Sequence, residues 1–110
     1  MPSFLVQASY TSEALAALIK KPQDRAGIIQ ATAKKLGGSL VGLWGSFGEQ
    51  DIVLVIDMPD NISAAAMMMA VTAGGALQST KVTPLFSPEE GLAALKKAGK
   101  SGYKPPKGTK

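Results

Sequence analysis

Hydrophobic residues recur along this chain with two periods, one of two residues and one near 3.6. Phe4, Val6, Ala8 and Tyr10 share one parity and Leu5 sits on the other, so residues 4–10 read as a strand with apolar side chains on both faces. Thr11 or Ser12 can cap a helix running through Leu15, Leu18 and Ile19. Pro22 interrupts it, because proline lacks the N–H that a helix interior needs, and it can also open a second segment. That segment sets Ile29, Ala33 and Leu36 on one stripe and stops at Gly37-Gly38.

Residues 39–47 form the next predicted strand, with Leu40 and Trp44 on one side and Val41, Leu43 and Phe47 on the other. Gly48-Glu49-Gln50 turns the chain into residues 51–58, where Ile52 to Ile56 are all apolar. A run of that kind implies burial on both faces. Asp60 or Ser63 caps a helix whose expected core stripe is Ile62, Ala66, Met69, Ala70 and Ala73, closed by Gly74-Gly75. Met69 then belongs to the core, leaving Met67 or Met68 for an interface or an adaptable pocket. Residues 76–86 are a more polar strand whose Pro84 suits an edge. Ser87-Pro88-Glu89-Glu90 combines an N-cap serine, a proline at the first helical position and a capping-box glutamate, opening a helix that carries Leu92 and Leu95.

The expected organisation is one domain over residues 1–98 and a flexible tail over 99–110. Its order, β-α-β-β-α-β, is the ferredoxin-like arrangement: an α+β fold with a four-stranded antiparallel sheet and both helices on one face. The central strands are then 4–10 and 51–58, the two that are apolar at both parities. Leu5, Leu43, Val53 and Val55 would supply part of a bare second face. Burying apolar surface is worth roughly 25 cal/mol per Å². A homo-oligomer closed through that face, a dimeric α/β barrel in its simplest form, is therefore expected. The competing arrangement folds the helix 88–98 over the same face.

Composition changes this picture mainly by exclusion. Apolar residues make up 45% of the 110, enough for one core, while Cys and His are both absent. Thiolate chemistry, disulfides, a Ser-His-Asp triad and a histidine-bound metal are thereby excluded, and no cofactor is expected. The net charge of +4 comes entirely from Lys100, Lys104, Lys107 and Lys110, so residues 1–98 are neutral and do not suggest a nucleic-acid surface. The start, Met1-Pro2-Ser3, lacks the pattern of a signal peptide, and the apolar run Ala64 to Val71 is too short to span a bilayer. A cytoplasmic protein with no membrane contact is expected.

The stretch from Trp44 to Asp60, WGSFGEQDIVLVIDMPD, resembles the GYD domain family, small bacterial and archaeal proteins with a ferredoxin-like fold and no settled biochemical function. Gly48, Glu49, Asp51, Ile52 to Ile56, Pro59 and Asp60 match its pattern. Tyr10-Thr11 at the end of the first strand, Gly37-Gly38 and Phe86-Ser87-Pro88-Glu89-Glu90 are similar to the family as well, so the resemblance covers about residues 2–95. Gln50 stands where the family has the tyrosine of its name. A ligand role for that tyrosine would not pass to Gln50, whereas a packing role could.

Four residues are candidates for ligand binding: Tyr10, Trp44, Glu49 and Asp51. Glu49 and Asp51 could present carboxylates to a ligand or to a proton in transfer, or Asp51 could bond local backbone N–H groups beside a Gly48 turn. Trp44 could line a pocket between sheet and helices, with the Tyr10 hydroxyl reaching the same space, or both could pack as strand residues. Both glycine pairs follow helices rather than open them, so neither makes a phosphate loop. The expected function is a small-molecule-binding or accessory protein that takes a small apolar ligand. The alternatives are a cofactor-independent enzyme of the dimeric α/β-barrel type acting on a small apolar substrate and a nucleotide-binding regulator similar to the PII signalling proteins.

Overall fold

A computed structural model describes residues 1–108. Eight elements follow one another: β1 (Ser3–Tyr10), α1 (Ser12–Lys20), α2 (Ala26–Lys35), β2 (Ser39–Gly45), β3 (Ile52–Asp57), α3 (Asn61–Ala73), β4 (Leu77–Leu85) and α4 (Pro88–Gly99). The strands form one antiparallel sheet in the order β2-β3-β1-β4, which makes the fold a ferredoxin-like α+β domain with β1 and β3 at its centre. The two strands richest in apolar residues are the two with neighbours on both sides.

Register then decides the two faces. Phe4 pairs with Ile56, Val6 with Leu54 and Ala8 with Ile52, and all six are buried beneath the helices. Alternation sends Leu5, Gln7, Val53 and Val55 to the other side, where they are only half-covered. The core is completed by Ala33 of α2, by Ala64 and Met67 of α3, and by Met58 just beyond β3. It is densest where α2 turns into β2. There Gly37 adopts a left-handed φ of 86°, and Gly38 donates to the Ala33 carbonyl at 2.8 Å. A Cβ at Gly38 would collide with the Asp57 carbonyl and the Met58 sulfur, so this turn is closed to side chains.

Caps follow the expected chemistry. Thr11 Oγ1 accepts from the Ala14 N–H at 3.1 Å, and Ser87 with Glu90 forms the full capping box of α4. Asp60 caps α3 by accepting from the Ser63 N–H at 2.7 Å, a bond that holds its carboxyl below its ordinary value. This stabilisation is complete above that ordinary value and fades in acid as the carboxylate takes up a proton.

Two expectations need correction, and one competing arrangement falls away. First, β2 does not keep one alternation. Leu40 faces Ile56 and Gly42 faces Val55, so Val41 is an extra residue in a bulge. The bulge reverses parity midway, placing Leu40 and Leu43 together on the core side and sending Trp44 to the opposite face. The strand ends at Gly45, leaving Phe47 outside it and fully exposed.

Second, α3 buries Ala64 and Met67 and partly covers Met68 and Val71, while Ile62 and Met69 face outward. This helix is apolar on nearly every side, so its pattern holds two stripes of similar quality. Packing against β1 and β3 selects the one at 64, 67, 68 and 71.

Third, α4 does not lie on the bare sheet face. It buries none of its residues, and Leu95 stays 72% exposed. The described chain is correspondingly elongated, 58 × 33 × 22 Å with a radius of gyration of 17.9 Å. A compact domain of this length would have about 13 Å. Thr109 and Lys110 of the expected tail lie outside the described residues.

The choice of stripe on α3 is directly testable. Met67→Ala should cost about 3 kcal/mol in urea unfolding, as large-to-small changes in a filled core do. Met69→Ala should change stability by less than about 0.5 kcal/mol, as surface substitutions do. Equal effects at the two positions would contradict the packing described.

Candidate functional site

Sheet and helices do not close on each other along their whole length. At the end where β1 runs into α1, a chamber of about 450 Å³ lies between the sheet, α1, α2 and α3. Its floor includes Ala8 and Ile52, α1 contributes Ala14 and Ala17, and α3 contributes Met68 and Ala70. Alanines at 8, 14, 17, 70 and 76 share the wall with larger residues such as Leu18, Ile29 and Leu54, and α1 buries none of its residues, so the helices do not seal against the sheet. Such a volume is in the usual range for small-molecule sites.

The break between α1 and α2 shapes the mouth. Pro22 ends the first helical run, and Asp24 Oδ1 accepts the Ala26 N–H at 2.9 Å to start the second. The connecting segment brings Gln23 and Arg25 to the chamber wall. Tyr10 and Thr32 are the other polar side chains that line it, and the rest of the lining is apolar or glycine. Arg25 is half-buried, and its guanidinium donates to Gln23 Oε1 at 2.9 Å, a neutral acceptor.

Of the four candidates read from the sequence, only Tyr10 lines this chamber. Asp51 sits beside it but is engaged with backbone: its Oδ2 accepts the Tyr10 N–H at 2.9 Å, and its own N–H donates to the Ala8 carbonyl at 2.9 Å. Glu49 is exposed in the turn, where its carbonyl accepts from Ser9 Oγ at 2.8 Å. Gln50 Oε1 lies 3.2 Å from the same hydroxyl, so the residue in the family's tyrosine position helps tie the turn to β1. Tyr10, Glu49 and Asp51 are thus neighbours around one strand end.

Trp44 lies on the far face of the sheet. Its ring covers Gly42 there, where a Cβ would run into the indole, and it remains 56% exposed. Because of the β2 bulge it lines up with Val53, Gln7 and Lys81 in one row across the sheet, next to a row of Gly42, Val55, Leu5 and Thr83. In a third row, Ser3 Oγ donates to the Asp57 carboxylate. The open face therefore has an apolar middle and one internally satisfied carboxylate. Among the described residues no set of three or more Asp or Glu is placed to hold a metal, and no helix is long and apolar enough to cross a membrane.

Sequence reasoning missed Arg25, Gln23 and the alanines as site residues. The available signal was the recurrence of Ala at 8, 14, 17, 70 and 76, all of which line the chamber.

With this geometry, a small α+β domain holding an apolar chamber beneath its helices, the family assignment follows from the sequence match. The model of the GYD domain matches residues 4–95, and the chain belongs to that family. No curated protein matches the chain. Among solved structures, FFRP-DM1 superposes with a TM-score of 0.51 at 10% identity, over 78% of this chain and 100% of its own. A protein from Thermus thermophilus gives a TM-score of 0.52 at 11% identity, over 79% of this chain and 95% of its own. A hypothetical protein from Pyrococcus horikoshii gives 0.50 at 10%, over 79% and 92%. At such identities the likeness shows the fold alone.

The role of Asp51 as a backbone clamp has a measurable consequence. Asp51→Ala should destabilise the domain by about 1–2 kcal/mol, since it strands the Tyr10 N–H, and should accelerate hydrogen exchange at that amide. Unchanged protection at Tyr10 would remove the clamp from the account.

Proposed function

We propose that this GYD domain is a cytoplasmic, self-associating accessory protein that binds a small, mostly apolar molecule in the chamber between its sheet and helices. The chamber itself carries the reading. A well-packed interior has few voids larger than a water molecule, and an opening of this size lowers stability unless something fills it. Binding is favoured over catalysis because Glu49 and Asp51 do not line the chamber and Asp51 is committed to backbone. That leaves the chamber no pair of carboxylates for general acid and base work.

Self-association is supported by the apolar middle of the open sheet face, with Trp44, Val53, Val55 and Leu5 side by side. A second support is α4, whose Leu92 and Leu95 form a stripe with Phe86 and stay exposed among the described residues. A helix of 12 residues is marginal alone in water, so a partner surface would stabilise it. Packing two open faces together, at the usual sheet separation of about 10 Å, would give the dimeric barrel.

Two measurements test these parts separately. Light scattering after size exclusion should return at least twice the mass of the 110-residue chain. Val53→Lys should shift it towards the monomer without unfolding the domain. A wild-type monomer at tens of micromolar would end the assembly reading. For the chamber, the neutral dye Nile red should bind with one site per chain. Ala17→Phe and, separately, Ala14→Leu should remove that site, and dye binding unaffected by both would place the apolar site elsewhere.

A further inference from the structure

The charge distribution around the chamber narrows what it can hold. Of the described residues lining it, Arg25 alone is charged. Tyr10, Gln23 and Thr32 add neutral polar groups, and the remaining wall is apolar or glycine. Arg25 reaches this position because it ends the α1–α2 connector and immediately precedes α2. Its guanidinium is bonded to an amide oxygen, Gln23 Oε1, rather than to a carboxylate. The nearest acidic residue in sequence, Asp24, spends one carboxylate oxygen on the Ala26 N–H. An arginine keeps its charge at any pH a protein meets and offers a planar fork of donors that fits a carboxylate.

We propose that the chamber takes an amphipathic monocarboxylate, its apolar body lying against Ala8, Ala14, Ala17 and Ala70 and its carboxylate paired with Arg25 at the mouth. This rests on the binding role proposed above and adds the chemical class of the ligand. A neutral apolar molecule would leave the guanidinium with the neutral Gln23 amide in place of a counter-charge. A nucleotide fits poorly, because several phosphate charges would meet one cation, and the glycine pairs that could approach phosphates close helices instead of opening them. One cation at the rim of an apolar space matches one negative charge at the end of an apolar body.

The test is calorimetric titration of the full chain with decanoate and, in parallel, with decan-1-ol, which has the same carbon chain and no charge. Wild type should bind decanoate about tenfold more tightly than the alcohol, the size of effect expected for one charge-assisted contact at a half-buried site. Arg25→Gln should weaken decanoate to the level of the alcohol while leaving the alcohol unchanged, and Arg25→Lys should keep part of the preference. Wild type that binds acid and alcohol equally, or an Arg25→Gln variant that retains the preference, would overturn the carboxylate assignment and leave the chamber as a binding site. Failure of both compounds to bind wild type, or binding that survives Ala17→Phe, would overturn the binding role itself. Because the acid-to-alcohol ratio is measured on wild type first, the assignment can fail without any variant having to fold.

Discussion

The rest of the structure depends on the antiparallel pairing of β1 with β3. With Phe4 opposite Ile56 and Val6 opposite Leu54, a single register sends one set of large side chains under the helices and the other set to the far side. A slip of one residue would exchange the two sets completely. Both strands are apolar at both parities, so the pairing makes a sheet with two sticky faces. The helices can occupy only one of them. The chamber and the uncovered face are therefore two results of the same pairing, separated by the thickness of one sheet.

Helix placement accounts for the difference between the two ends of the covered face. Where α2 turns into β2, the close approach at Gly38 and the buried Met58 and Ala33 leave no room. At the other end the Pro22 break divides the first crossover into α1 and α2. From α1 only Leu18 and two alanines, Ala14 and Ala17, reach the resulting gap, and they do not fill it. Packing quality thus changes along the strands, from dense to hollow, within the length of one helix.

Most of the architecture was legible in the sequence because it follows from local periodicity and punctuation. The period-2 strands, the caps at Thr11, Asp60 and Ser87 and the glycine stops lie within a few residues of the features that cause them. The errors arose where the deciding interaction was distant in sequence. Nothing local announces a bulge at Val41, yet it carries Trp44 from the helix side to the open side. The three consecutive methionines of α3 offered no reason to prefer Met67 until β1 and β3 were in place. For the site, Tyr10 was readable as a strand-end residue near a cavity. Arg25 was not, because a charged residue beside a proline looks the same whether it faces solvent or a chamber. The chamber itself is made of missing atoms, and absent side chains leave little trace in a hydrophobicity pattern.

A hollow with alanines on its wall can be reshaped without rebuilding the fold. Each Ala on the wall is a single-nucleotide change away from a valine, and each such change would trim the space by two methyl groups while the strand register and helix caps stayed as they are. Under the binding role proposed above, the guest could therefore be changed in small steps, with the scaffold held constant by β1 and β3.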